Sequence, residues 1–298
     1  MDRFESMAAF VAAVEDGAFS AAARRIGMPL ATLSRKVSDL ENLLGVRLIN
    51  RSARGISLTE SGQSYYPECR RLLDELAEAE RAASGEYRTP RGELVITAPI
   101  VFGRMHLMPV VVDFLRAYPE VAISLRLTDE IVHLGDEQVD LAVRISHLPD
   151  SSMVATRIAD IRQVVCASPS YLGGRGAPRH PADLIDHDCV SGKLLSTPDA
   201  WTFRIGKAIR SFPIRRRLAA TTAEAVIEAA IAGAGLARAL CYQVAEAEAG
   251  GRLVTILREF EPDPTPLSLV HPSARLVPLK LRAFLDHAVP RLKQRLAG

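Results

Sequence analysis

The residues best suited to chemistry in this sequence bind charge; none of them forms a bond-breaking set. One group is cationic and polar. Thr32, Ser34, Arg35 and Lys36 fall in one run, and Arg51 and Arg54 follow. Guanidinium and ammonium groups neutralise phosphates, and hydroxyls reach phosphate oxygens or base edges. A second group could hold a carboxylate: Thr97 with the following Pro99, Ile100 and Val101, then Arg144 and Ser146, then Thr221 and Thr222. These residues follow strand patterns or open a helix pattern, where free N–H groups and the helix dipole favour anions. Helix capping is an equally good role for the two threonines, and an ion pair for Arg144. A third group, His180, His187 and Cys189, has a loose metal-like spacing, and Asp186 and Asp188 lie too close to His187 for a triad. No HExxH, CxxC, GxSxG or P-loop occurs, and Gly233-x-Gly235 lacks the third glycine of a dinucleotide fingerprint. The expectation is a protein that is not an enzyme and needs no cofactor or metal.

The elements that must carry the cationic group can be read from periodicity. Phe4, Met7, Ala8, Val11 and Val14 predict a first helix buried on that face, ended by Gly17. Ser20 is placed to cap a second helix over 21–26, and Gly27 supplies a sharp turn. A third helix begins near Pro29. Its apolar stripe is Leu30, Leu33, Val37, Leu40 and Leu44, opposite Thr32, Ser34, Arg35, Lys36 and Asp39, and Gly45 ends it. Two short helices, a turn and a helix with a polar N-terminal half make a helix-turn-helix, whose third helix fits a major groove. Residues 46–58 read as two short strands with a basic turn, a wing that sets Arg51 and Arg54 against phosphates. A plain three-helix bundle with a solvated basic face is the alternative.

Tyr65, Cys69, Leu72, Leu76, Ala79 and Ala83 form a heptad-like stripe on a long helix over 59–88. Pro67 within it predicts a kink or tightened turn near 63–67. After the break at Pro90-Arg91-Gly92, strand patterns alternate with helix patterns, which signals α/β architecture. Strands are expected at 94–97, 121–127, 140–144, 164–167, 253–257 and 267–270. Helices are expected at 108–118, 222–232 and 279–295, with Thr221-x-x-Glu224 as a capping box. The stretch from 168 to 198 reads as loop-rich. The restart near 163 hints at two similar lobes.

The chain has 298 residues and a net charge of +2, which by itself argues against a nucleic-acid partner. The average conceals a pattern. Residues 20–58 carry seven basic and two acidic residues, a local +5, between flanks of −3 each. No secretory signal or membrane-length apolar run is present, and the four cysteines are scattered, so a cytoplasmic protein with reduced thiols and no membrane partner is expected.

Residues 1–65 resemble the DNA-binding domain of LysR-type transcriptional regulators. The motifs are Phe19-Ser20-Ala21-Ala22-Ala23-Arg24-Arg25, Ser34-Arg35 with Leu40-Glu41, Leu44-Gly45-Val46-Arg47-Leu48, and Arg51 followed by Leu58-Thr59-Glu60-x-Gly62. The match continues more loosely to the end of the chain. Pro29 and Leu30 stand where small polar residues are common, Ile49 where Phe is usual, and Val101 near a common hydroxyl position.

The resemblance implies a winged helix-turn-helix over 1–58, a linker helix over 59–89 that dimerises through its stripe, and an effector-binding domain over 90–298. That domain is expected to be a two-lobed α/β fold like periplasmic binding proteins. Lobe one would be 91–162 with 267–298, and lobe two 163–266. Double-stranded DNA would contact Ser20, Thr32, Ser34, Arg35, Lys36, Arg51 and Arg54. A small effector, an organic acid or an aromatic compound, would sit between the lobes. A homodimer or homotetramer is implied, and RNA polymerase is a further partner the resemblance allows. Two rivals stand besides an enzyme. A solute-binding protein is disfavoured by the N-terminal unit and the missing signal. A thiol redox sensor of the same fold would use Cys166, Cys189 or Cys241, none of which has clear basic activators beside it in sequence.

Overall fold

The computed structural model describes residues 2–52, 55–83, 89–130, 139–148, 153–192, 199–272 and 277–296. Two compact units form, one over Met1–Gly92 and one over Glu93–Val277 with Leu281–Gly298. No described helix is long and apolar enough to cross a membrane.

In the first unit, α1 (Arg3–Glu15) opens on Asp2, whose carboxylate accepts from the backbone N–H groups of Phe4 and Glu5. Its buried face matches the expected one in part: Val11 is buried and Met7 and Val14 pack against the core. Ser6, Ala9, Phe10 and Ala13 are fully buried, while Phe4 is 45% exposed and Ala8 lies outside. Phe10 is the larger anchor within an alanine-rich helix, and Ser6 tolerates burial because its hydroxyl donates to the Asp2 carbonyl at 3.0 Å.

Helix α2 (Phe19–Arg25) starts at Ala18 without a side-chain cap, so Ser20 lies inside the helix, exposed, and caps nothing. Gly27 takes φ +66° and turns the chain into α3 (Leu30–Leu44). Leu33, Val37 and Leu40 are fully buried, whereas Leu30 and Leu44 at the ends of the expected stripe are exposed. Gly45 closes α3 in the left-handed conformation. Strands β1 (Ile49–Ser52) and β2 (Gly55–Leu58) pair antiparallel as the wing.

Helix α4 (Glu60–Ala83) is α-helical throughout, so the tightened turn expected at 63–67 does not form. Pro67 deprives the Gln63 carbonyl of its usual donor without ending the helix. Thr59 caps α4. Its hydroxyl accepts from the Gly62 N–H at 3.0 Å and donates to the Arg47 carbonyl at 2.7 Å.

The second unit holds two five-stranded sheets. The first has the order β4 (Val121–Leu127), β3 (Gly92–Ala98), β5 (Leu141–Ile145), β14 (Thr265–Pro272), β6 (Met153–Ile161). Beside it runs a nearly continuous helix: α5 (Ile100–Phe102), one π turn (Gly103–Leu107) and α6 (Met108–Ala117). With α10 (Leu279–Leu296) it builds a core in which Phe114 and Phe284 meet edge to face.

The second sheet has the order β11 (Arg215–Ala219), β8 (Asp188–Ser191), β12 (Leu236–Leu240), β7 (Gln163–Ala167), β13 (Val254–Ile256). Helices α8 (Ala223–Ile231) and α9 (Cys241–Ala249) contribute to one of its two cores. The other core contains Tyr171 of α7 (Pro169–Arg175), Leu184 of a 3-10 turn (Pro181–Asp186), and Trp201 and Phe203 of the hairpin β9 (Ala200–Ile205) and β10 (Ala208–Pro213). The stretch expected to be loop-rich therefore contains α7, the 3-10 turn and β8. The chain passes between the sheets first at Arg162 and again through 261–264. The Arg162 guanidinium bonds Glu261 at 2.9 Å and so clips the two crossings together.

Candidate functional sites

The wing and α3 organise the cationic face of the first unit. Arg35 is exposed near the N-terminal end of α3, and Thr32 is half-buried on the same helix. Arg51 reaches across from β1. Its guanidinium lies 4.4 Å over the Phe19 ring and donates to Ser34 Oγ at 3.0 Å and Ser38 Oγ at 3.4 Å. These partners are neutral, so they fix the position of Arg51 without offsetting its charge.

Two other cations of the local +5 are compensated. Arg25 bonds Asp16 at 2.8 Å and Glu15 at 3.2 Å, and its hydrogen bond to Asp16 pushes its pKa up. Lys36, expected to face phosphate, is ion-paired with Glu5 of α1. It is set back from the open face because the side chain across from it is a carboxylate. Arg24, Arg35 and Arg47 are exposed, with no carboxylate within ion-pair distance among the described residues. Arg54 lies outside the described residues.

Of the two acidic residues in this segment, Glu41 has a structural role. Its carboxylate accepts from the Leu48 and Ile49 N–H groups at 2.8 and 3.1 Å and holds the entry to the wing. The sequence offered the Leu40-Glu41 motif, but its meaning depends on the fold bringing residues 48 and 49 back to α3.

The α4 stripe divides. Cys69 is fully buried in the unit's own core, and the Tyr65 and Tyr66 rings each lie 6.2 Å from Phe10. Cys69 is therefore spent on the chain's own core, while Tyr65 packs on Phe10 and remains half-buried. Burial pushes the Cys69 thiol up to about 11. Leu72 and Leu76 are half-buried further along. The side chains of Ala79 and Ala83 lie outside the described residues.

In the second unit a cavity of about 660 Å³ lies between the two sheets. That volume falls within the roughly 300–1,000 Å³ of ligand pockets. Pro99 and Asp129 come from the first lobe, Gln163 and Tyr242 from the neighbourhood of the crossing, and Ser191, Trp201, Thr202, Ile214, Arg216 and Arg238 from the second lobe.

Of the residues expected to hold an effector, only Pro99 lines this cavity; Thr97, Ile100, Val101, Arg144, Ser146, Thr221 and Thr222 do not. Thr97 and Val101 are buried in lobe one. Arg144 sits on β5 opposite Ser268 of β14, and the Ser146 N–H is bonded to the Pro266 carbonyl at 3.1 Å. Thr222, not Thr221, caps α8, accepting from the Ala225 N–H at 3.3 Å, and Thr221 is exposed. Reading each strand end separately could not show which ends face each other.

The cavity's charged groups differ in kind. Arg216 is neutralised by Asp199 at 3.1 Å. Arg238 is not: it donates to Gln163 Oε1 and, at 3.1 Å, to Thr202 Oγ1, and no carboxylate among the described residues is in ion-pair distance. Burial alone pulls its pKa down to about 10. The available signal was a charge in the middle of the apolar strand Leu-Ala-Arg-Ala-Leu.

The metal-like group is otherwise engaged. His180 Nδ1 accepts from the Ala182 N–H, His187 Nδ1 meets the Tyr171 hydroxyl at 3.3 Å, and the Cys189 thiol donates to the His187 carbonyl. Among the described residues no three or more metal-ligating side chains converge. Burial pushes the Cys166 and Cys189 thiols up to about 12, which keeps them protonated and unreactive.

Residues 4–63 match the family model of the bacterial regulatory helix-turn-helix protein, lysR family, and residues 88–293 match the LysR substrate binding domain. An HTH-type transcriptional regulator of Xanthomonas campestris pv. campestris (strain 8004) is 35% identical over 95% of this chain and 83% of its own. The structure of CrgA, a LysR-type transcriptional regulator from Neisseria meningitidis, is similar with a TM-score of 0.62 at 32% identity, covering 97% of this chain and 98% of that one. The full-length Vibrio cholerae virulence activator AphB gives 0.61 at 27% identity, covering 97% and 99%. The chain belongs to the LysR family. It is a DNA-binding transcriptional regulator with an effector-binding domain, not an enzyme.

Proposed function

We propose that residues 1–58 read operator DNA, residues 59–89 join two copies through the distal part of α4, and residues 90–298 sense a small organic acid or aromatic effector in the interlobe cavity. The N-terminal half of α3 enters the major groove with Thr32, Ser34 and Arg35. Arg24, Arg47, Arg51 and Arg54 meet the flanking phosphates, with Ser20 near the backbone. The observation that carries this reading is the set of open cations around α3, with Arg51 held in place by Phe19 and Ser34. Effector binding shifts the population of lobe orientations, and through the oligomer the spacing of the reading heads. The protein works in the cytoplasm as a homodimer or homotetramer, and RNA polymerase is the partner through which it acts. Footprinting on its own upstream promoter, with and without a panel of small acids and aromatics, tests the whole. Protection that depends on Arg35 and shifts with a ligand supports it. Protection unchanged in Arg35→Ala refutes the assignment of α3.

A further inference from the structure

We infer that Glu5 of α1 limits sequence-independent DNA binding by withholding Lys36 of α3 from phosphates. This role rests on the reading that α3 lies in the groove, and it adds a residue from outside the groove-facing set.

The carboxylates at the start of the chain have a common use. Residues 1–19 carry Asp2, Glu5, Glu15 and Asp16. Asp2 caps α1. The other three pair with cations of neighbouring helices: Glu5 with Lys36 of α3, Asp16 and Glu15 with Arg25 of α2, and Glu15 also with Arg70 of α4 at 3.7 Å.

The two flanks of α3 are treated differently. At 3.6 residues per turn, Ser34 and Lys36 fall on opposite sides of the buried stripe Leu33, Val37 and Leu40, and Arg35 faces away from it. On the Ser34 side, hydroxyls and a ring hold Arg51 and leave its charge available to phosphate. On the Lys36 side the holding group is a carboxylate, which offsets the charge. The Lys36 side chain is 20% exposed and that of Glu5 58%. An approaching phosphate therefore meets a group of like charge before it meets the lysine.

The magnitudes match. An ion pair this exposed favours its closed form by up to about fivefold. Non-specific complexes make about 6–10 phosphate contacts, each worth roughly three- to tenfold in affinity. Glu5 thus offsets most of what Lys36 could add. The effect falls mainly on sequence-independent complexes. There the head takes whatever register makes the most ion pairs. At an operator the base contacts of α3 fix the register, and Lys36 gains only a phosphate that this register happens to set beside it.

The test is fluorescence anisotropy of full-length protein across salt concentrations, with a labelled duplex of scrambled sequence and with the upstream promoter fragment. Glu5→Gln should tighten binding to the scrambled duplex about three- to fivefold and steepen its logarithmic salt slope by about 0.9, the value of one phosphate. Promoter affinity should rise less than about twofold. In a Lys36→Ala background, Glu5→Gln should gain less than about twofold on the scrambled duplex, because no cation remains to release. Equal gains in both backgrounds overturn the proposal, since the effect then belongs to the charge of Glu5 alone. Equal gains on promoter and scrambled duplex overturn it too. So does a Glu5→Gln protein that binds the scrambled duplex no better, which leaves the pair as a staple between α1 and α3. Arg35→Ala, measured alongside, tells this failure from a deeper one. If Arg35→Ala weakens promoter binding while Glu5→Gln gains nothing, α3 is correctly placed and only the role of Glu5 is refuted. If Arg35→Ala changes nothing, the placement of α3 is wrong and the role of Glu5 falls with it.

Discussion

Replacing Gly62 by alanine tests how tightly the linker helix is seated on the wing. An alanine inside an exposed helix stabilises by about 1 kcal/mol relative to glycine. At Gly62 the sign should reverse. A Cβ there would overlap the Leu48 carbonyl oxygen, lie 2.9 Å from the Leu48 carbonyl carbon and 3.0 Å from Leu58 Cδ2. Backbone cannot rotate aside as a side-chain end can. That carbonyl also accepts the Thr59 N–H at 3.0 Å, and Thr59 is the residue that caps α4 through Gly62. Relieving the overlap therefore disturbs a backbone bond and a helix cap together. Overpacking costs about 1–3 kcal/mol and a lost cap about 1. Set against the propensity gain, the net destabilisation should be about 1–3 kcal/mol. For a unit of this size that lowers the melting temperature by roughly 5–20 °C. Far-ultraviolet circular dichroism records the helices of both units, while Trp201 fluorescence follows the second unit alone, so the part of the dichroism transition not shared with Trp201 reports the first. The helical transition should move and the Trp201 transition should not. A midpoint that stays fixed or rises in Gly62→Ala refutes the close-packing argument.

Other expectations follow from the same geometry. Arg35→Ala should lower operator affinity by about 1–3 kcal/mol and reduce the salt dependence of binding. Lys36→Ala should change both little, because Glu5 already compensates that charge; gel-shift titrations across salt concentrations compare the two. Thr222→Val should lower thermal stability by about 1 kcal/mol through the lost cap and leave ligand affinity at the cavity unchanged by fluorescence titration. Asp188 is nearly buried among Arg175, Arg215 and Arg217 at 3.5, 2.5 and 3.4 Å. Burial raises its pKa, but the arginines outweigh it and the net shift is downward. Its stabilising contribution is therefore present above the usual carboxylate pKa and lost as pH falls through the lowered one. Asp188→Asn should remove that part of the acid dependence from the Trp201 unfolding transition.

Periodicity made the reading head legible, because Leu33, Val37 and Leu40 repeat at helical spacing and Gly27 and Gly45 mark real turns. It was half right on α1: Met7, Val11 and Val14 do face the core, but alanines on several faces left Phe4 and Phe10 as competing anchors, and only the packing partner decides. The hairpin and β11 were not legible: no apolar alternation marks Arg215-Arg216-Arg217, yet these side chains serve Asp188 and Asp199 on neighbouring elements. The cavity was the least legible feature. Its key cation, Arg238, gains meaning only when β12 is set beside β7, bringing Gln163 within reach, and when the hairpin brings Thr202.

The paired crossing at Arg162 and Glu261 has a mechanical consequence. One strand between two bodies permits bending and twisting in every direction. Two strands side by side, fastened to each other, act as a door with two pins: bending about one line stays soft while twist is resisted. On the proposed function, ligand occupancy would then be read as a single opening angle. A regulator built this way transmits a graded ligand concentration as the population of one coordinate, and loosening the fastener would blur that signal before it weakened ligand binding.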